Sequence, residues 1–150
     1  MNVTQAREAI QDLKAGVIRL TGEAMMEHKE QITGLLIQQQ FEEGVDSQNR
    51  PFRRYKPTTV KMKQADGVYR GFTDLHNTGE FQAGMNLTID GDEYKIESPA
   101  RTDLGVLKSR WLSEWNGSEV MNLTKENEAL IYPIIEDTLK EKINEQLAFD

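Results

Sequence analysis

Seven apolar residues among the first 24, Val3, Ala6, Ile10, Leu13, Val17, Leu20 and Ala24, are separated alternately by three and four positions. At 3.6 residues per turn such positions return to one face, so the spacing is that of an amphipathic helix and of a short coiled-coil seam. Arg7, Glu8, Asp12, Lys14, Arg19 and Glu23 fall between them, on the wet side. Asn2 followed by Gln5 supplies a capping start. The apolar pattern resumes at Ile32, Leu35, Leu36 and Phe41, so residues 3 to 41 read as one long helix. A glycine costs a helix about 1 kcal/mol relative to alanine, which predicts a bend around Thr21-Gly22. Gly44 predicts the stop.

After the helix the composition inverts. Between Arg50 and Arg70 there are seven Lys or Arg and one acid, Asp66, a net charge of six positive. The whole chain carries −7, so its other residues carry thirteen net negative charges. The stretch is punctuated by Gly and Pro and poor in core residues. It therefore reads as an extended basic arm over about 45–80, with Thr58 to Gln64 as a short helical turn and Thr73 to Gly79 as a turn. Unlike charges on one chain allow its positive segment to meet the negative surface of another copy. On that reading Arg50, Phe52, Arg53, Arg54, Tyr55, Lys56, Lys61 and Lys63 are the candidate inter-subunit contacts. A solvated loop is the alternative.

Met85, Leu87 and Ile89, then Tyr94 and Ile96, alternate with polar residues around Asp90-Gly91-Asp92-Glu93, which predicts a β-hairpin. Phe72, Leu75 and Phe81 extend the apolar surface on which it packs. Ser98-Pro99 reads as the start of a short helix through Leu104, Leu107 and Trp111, ended by Asn116-Gly117-Ser118. Thr124 opens a C-terminal helix with the stripe Leu130, Ile131, Ile134, Ile135, Leu139, Ile143 and Leu147, which Pro133 should kink or split. The order is α+β: a long N-terminal helix, an extended basic arm, a small antiparallel hairpin sheet, a short helix and a C-terminal helix, in one domain over 1–150. A two-stranded sheet is marginal alone and needs helices over it or a neighbour's strands beside it.

The chemistry-bearing residues are sparse. The chain has no cysteine, so neither disulfides nor thiolate catalysis or metal sites arise. His28 and His76 fall in different elements without zinc-site spacing, and read as a helix-surface residue and a turn residue. Asp90, Asp92 and Glu93 lack the spacing of a calcium loop. Gly67, Gly71 and Gly79 do not compose a phosphate-binding motif. No catalytic constellation, metal or cofactor is expected, so the chain does not read as an enzyme. The sequence MNVTQAREAI has no basic start followed by an apolar run, so neither a signal peptide nor a membrane span is expected. A pI of about 4.9 argues against a surface built wholly to hold nucleic acid. The basic arm could still grip phosphate and stack Phe52 or Tyr55 on bases, which is the alternative function. Trp111 and Trp115, four apart, read as caps on the core or, in part, as anchors into a neighbouring subunit.

Three stretches carry a resemblance. Gly44-Val45-Asp46 leads to Phe52-Arg53-Arg54-Tyr55-Lys56-Pro57-Thr58-Thr59 with Lys61 and Lys63; Asp74-Leu75-His76-Asn77-Thr78-Gly79-Glu80-Phe81 precedes the hairpin; Asn122-Leu123-Thr124-Lys125-Glu126-Asn127 enters the last helix. In this order they resemble the arm, the turn (here Leu75, Thr78, Gly79 and Phe81) and the last-helix entry of the tail-completion and head-tail connector (neck) proteins of tailed bacteriophages. This chain has Asn49-Arg50 where that arm often has glycine, and Asn122 where the last motif has glycine. The resemblance implies a structural virion protein assembled in the host cytoplasm, a hexameric or dodecameric homo-oligomeric ring at the head-tail junction. Its implied partners are further copies of itself, portal, neck or tail proteins, and genomic DNA passing through the lumen without sequence-specific binding. No membrane contact is implied.

Overall fold

Helix α1 (Val3–Glu27) begins as its sequence predicts: Asn2 Oδ1 accepts from the Gln5 N–H at 2.9 Å, and Gln5 Oε1 accepts from the Asn2 N–H at 2.9 Å. These reciprocal bonds satisfy two amide donors that a helix start leaves open. The computed structural model describes residues 2–148. The long helix is interrupted at His28 (φ −105°, ψ 18°), not at Thr21-Gly22. Gly22 serves packing instead: a Cβ there would come within 3.1 Å of Ile89 Cγ2 on the hairpin. His28 is likewise more than a surface residue. Its Nδ1 lies 2.9 Å from Gln31 Oε1 and its Nε2 2.7 Å from Thr138 Oγ1, so the break is tied to the C-terminal helix.

Helix α2 (Lys29–Gln38) follows and passes into a π-helical turn, Gln39–Glu43. Gly44 stops it at φ +65°. Only glycine fits, because a Cβ would lie 2.6 Å from Phe72 Cδ2 and 2.8 Å from the Thr73 carbonyl oxygen. The chain then turns back over Ser47–Asn49, with Val45 paired to Pro51, runs without regular structure to Lys56 and forms helix α3 (Pro57–Ala65), somewhat longer than the predicted turn. A short helix α4 (Glu80–Ala83), absent from the sequence reading, precedes the hairpin.

Strands β1 (Asn86–Asp90) and β2 (Glu93–Glu97) pair antiparallel with Leu87 opposite Ile96 and Ile89 opposite Tyr94. That register puts the apolar residues on one face, against α1 and α2. Helices therefore do cover this two-stranded sheet. The short helix predicted from Ser98-Pro99 starts nine residues later, as α5 (Lys108–Asn116). Ser98 is buried and donates its hydroxyl to the Phe81 carbonyl at 2.8 Å, so it ties α4 to the chain after the hairpin rather than capping a helix. Residues 100–108 instead fold back on themselves, with Lys108 N–H on Ala100 O at 2.9 Å, and Leu104 is left exposed.

Helix α6 (Lys125–Ala148) is capped by Thr124, whose Oγ1 accepts from the Asn127 N–H at 3.2 Å. It runs through Pro133 without the expected split. Proline deprives the Ala129 carbonyl of its helical donor, but Ala129 and Pro133 are both exposed, where water serves that carbonyl. No helix among the described residues is long and apolar enough to cross a membrane. One apolar cluster joins Ala24, Ile32 and Leu36 to Leu87 and Ile96 of the hairpin and Ile131 and Ile135 of α6, and also takes in Phe52 and Leu75.

Gly44→Ala is therefore expected to lower stability by about 2 kcal/mol or more, since the left-handed conformation alone costs an L-residue about 1–2 kcal/mol. Urea unfolding of the variant beside the parent chain measures it, and an unchanged midpoint would contradict the tight approach of Phe72.

Candidate functional site

The basic segment is closed onto the body by two buried carboxylates. Asp46 accepts from the Gln48 N–H at 2.9 Å, the Arg50 N–H at 3.0 Å, Arg50 Nε and Nη2 at 3.2 Å each, and Ser118 Oγ at 2.9 Å. Burial by itself raises its pKa. The Arg50 and Gln48 amides, the Ser118 hydroxyl and the Arg50 charge outweigh that and hold the carboxyl below its ordinary value. Asp46 thus ties the base of the segment to the loop after α5.

The second carboxylate is Asp74. Its Oδ1 accepts from Tyr55 OH at 2.9 Å and the His76 N–H at 3.0 Å, and Lys63 Nζ stands 3.6 Å away while also donating to the His76 carbonyl. Lys63 and Asp74 are both buried, so each charge depends on the other for its stability in a poorly solvated place. Burial first, then the Asp74 charge and hydrogen bond, keeps the Tyr55 hydroxyl protonated far above its usual range. The Asp74 turn also supports Leu75, a buried residue at φ +53° whose carbonyl accepts from Gln82 Nε2 at 3.2 Å. A left-handed leucine is uncommon and persists only where its surroundings impose it. Thr78 Oγ1 accepts from the Glu80 N–H at 3.4 Å, Gly79 enters α4 at φ +88°, and Phe81 is buried.

Between these anchors the segment meets the tryptophans. The Arg53 N–H donates to Asn116 Oδ1 at 2.7 Å, and its guanidinium donates to the Trp115 carbonyl at 3.2 Å while lying 5.8 Å from the Trp115 ring. Tyr55 stacks on Trp115 (6.3 Å, 23°), and Trp115 on Trp111 (6.1 Å, 8°). Trp115 is half-buried, as a core cap, whereas Trp111 is 48% exposed at the end of the stack. Two features separated by half the sequence thus form one surface.

Most of the candidate contact residues of the basic segment already make contacts within their own chain. Phe52 is in the core; Arg50 and Lys63 are paired with carboxylates of their own chain; Arg53 and Tyr55 lie against Trp115. Arg70 also folds back, donating to the Phe41 carbonyl at 2.6 Å and to Glu42 at 2.8 Å with its guanidinium 4.3 Å from the Phe41 ring. A buried apolar core too small to order so long a segment is supplemented by polar bonds, and these engage most of its cations. Arg54, Lys56 and Lys61 stay exposed and make no ion pair among the described residues.

Sequence reasoning missed Gln39 and Gln40, and it named Asp46 and Asn116 without the bonds they make to the segment. Asp46 has a local signal, an acid four residues before an arginine. The glutamines have none: both are fully buried, and Gln39 Nε2 donates to Asn122 O at 3.1 Å while its Oε1 accepts from the Thr124 N–H at 2.9 Å and from Asn127 Nδ2 at 3.0 Å. Gln40 Nε2 donates to Val120 O at 2.7 Å. No group of three or more acids and histidines among the described residues could hold a metal ion. Trp111 is exposed at the end of the stack, and Arg54, Lys56 and Lys61 are exposed without an ion pair among the described residues. Comparison with family models, curated proteins and solved structures finds no match.

Trp115→Ala should destabilise the fold by about 2 kcal/mol, below the range for a fully buried tryptophan, while Trp111→Ala stays within about 0.5 kcal/mol of the parent. Equal effects in chemical denaturation would contradict their unequal roles. Because Asp46 titrates lower when folded than when unfolded, its contribution is complete above about pH 4 and is lost as pH falls through the folded-state value. Asp46→Asn should flatten the acid limb of the stability–pH curve; an unchanged limb would remove Asp46 as its source.

Proposed function

We propose that this chain is a structural virion protein, a ring-forming subunit of the head-tail connector (neck) or tail-completion complex of a tailed bacteriophage. It would join portal or head to tail around the channel that the genome traverses. The observation that carries this reading is the convergence of the three stretches that resemble that family. All three stretches enter one buried cluster, the first through Phe52, the second through Leu75 and Phe81 and the third through Leu123, and Tyr55 bonds Asp74 directly.

A closed ring needs heterologous contacts, in which one patch meets a different patch on the next copy. Arg54, Lys56 and Lys61 are exposed cations on a body that is otherwise strongly acidic, and they would supply the positive side of such a contact. Acidic surface lining the lumen would repel DNA phosphates and let the duplex slide without adhering. A second reading, nucleic-acid binding by an accessory protein, is favoured by the exposed Trp111 stacked on Trp115, the ring that Arg53 also approaches, since stacked aromatics near a cation suit single-stranded bases.

Native mass spectrometry of the full chain should find a closed ring of six or twelve copies. Arg54→Glu, Lys56→Glu and Lys61→Glu together should reduce it to monomers, as should salt well above the level at which the Debye length is about 8 Å. A monomer at every concentration overturns the ring, and a ring indifferent to both treatments overturns the role of the cations. Retention on single-stranded DNA with a steep salt slope, lost in the triple variant, would favour the second reading.

A further inference from the structure

The stripe that opens the sequence is packed over only part of its length. Arg19 Nη2 donates to Gln146 Oε1 at 3.1 Å and His28 meets Thr138 at 2.7 Å, so α1 and α6 run antiparallel and Ala148 lies near the level of Val17. Leu20 and Ala24 are buried. Before Val17, about 20 Å of helix at 1.5 Å per residue reaches past Ala148. There Val3, Ile10 and Leu13 are 79%, 67% and 70% exposed. Isolated exposed leucines are ordinary; several in register on a capped helix are a face without a partner.

The edges of this face differ. With Val3, Ile10 and Val17 at heptad position a and Ala6 and Leu13 at d, Arg7 and Lys14 occupy e, and Ala9 and Gly16 occupy g. One edge is basic and the other small and uncharged. Two such helices paired antiparallel would set their basic edges against each other, and paired parallel would leave every cation opposite an uncharged residue. Neither arrangement with a second α1 satisfies the charges.

A surface that does lies elsewhere on the same chain. Between α2 and α6 runs a shallow groove of about 340 Å³ lined by Gly34, Leu35, Leu130, Ile131 and Ile134, with Gln31 and Gln38 on its α2 side. Leu130 is 62% exposed, and a Cβ at Gly34 would meet nothing within 4 Å, so a helix can approach closely. Glu126, Asp137 and Glu141 share the outer row of α6 with Leu130 and Ile134 at three- and four-residue spacing, and Glu30 stands one turn before Gly34 on α2. All four are exposed and none has an ion-pair partner among the described residues.

We infer that the projecting half of α1, residues 3–17, lies in the α2–α6 groove of a second copy, its apolar stripe on Leu130 and Ile134 and its Arg7 and Lys14 edge against the acidic lips. The helix-in-groove contact is heterologous and asymmetric, so it repeats head to tail from one copy to the next. It rests on the reading that copies of this chain associate, and it assigns them an apolar contact distinct from the braced cations.

The absence of native cysteine makes a direct test available in the full chain. Leu13 and Ile134 are exposed, and within one chain the α1–α6 register holds them far apart, so a bond between them joins two copies. Under mild oxidation the double variant Leu13→Cys, Ile134→Cys should give a ladder of covalent oligomers. An equal mixture of the two single variants should give covalent dimers only, and neither single variant alone should give any. Covalent dimers from Leu13→Cys alone would overturn the inference in favour of paired α1 helices. A double variant that stays uncrosslinked while native mass spectrometry shows an oligomer overturns the groove contact and leaves the ring standing; a chain that is monomeric throughout overturns both.

Discussion

A buried hydrogen-bonding group is costly without a partner, and that constraint sets the path of the middle of this chain. The segment from 45 to 80 contributes only Phe52 and Leu75 to the apolar cluster, too little to order it by burial alone. Its path is set by buried polar groups instead: Asp46 with Ser118, Asp74 with Tyr55 and Lys63. The π-helical turn adds Gln39 and Gln40, whose amides hold the backbone from Val120 to Thr124 and so orient the start of α6. Such bonds are individually modest, but each becomes costly to lose once its partner is shut away from water.

The same bonds divide the cations into two groups. Those turned toward the body are Arg50, Lys63 and Arg70, each paired with a carboxylate, and Arg53, held by the Trp115 carbonyl, so part of the segment's positive charge is met at short range. Arg54, Lys56 and Lys61 remain to act at a distance. Counting charge along a sequence therefore overstates what a segment can offer a partner. The Trp111–Trp115 stack makes the complementary point, since one ring supports the fold and its neighbour extends the support to the surface.

Elements set by local rules were legible from the residues. The capping box at Asn2, the stop at Gly44, the period-two hairpin and the start of α6 at Thr124 depend on neighbours within a few positions, and each stands where the pattern puts it. The misplacements share a cause. Ser98-Pro99 has the chemistry of a helix start, but the Phe81 carbonyl competes for the serine hydroxyl, and Gly22 looks like a bend until Ile89 packs against it. Within the candidate site, the residue types were visible but their company was not: Arg53, Tyr55 and Trp115 meet across some sixty positions.

By itself the sequence determined that this is an α+β chain of long amphipathic helices and one hairpin, with its charge sharply segregated, because periodicity, caps and composition act through local geometry. Which cations are engaged, which tryptophan is exposed, and that the first turns of α1 keep an apolar face exposed among the described residues were settled by long-range packing. Those outcomes depend on which distant backbone and side-chain groups compete for the same buried bonds, and no spacing along the chain encodes that competition.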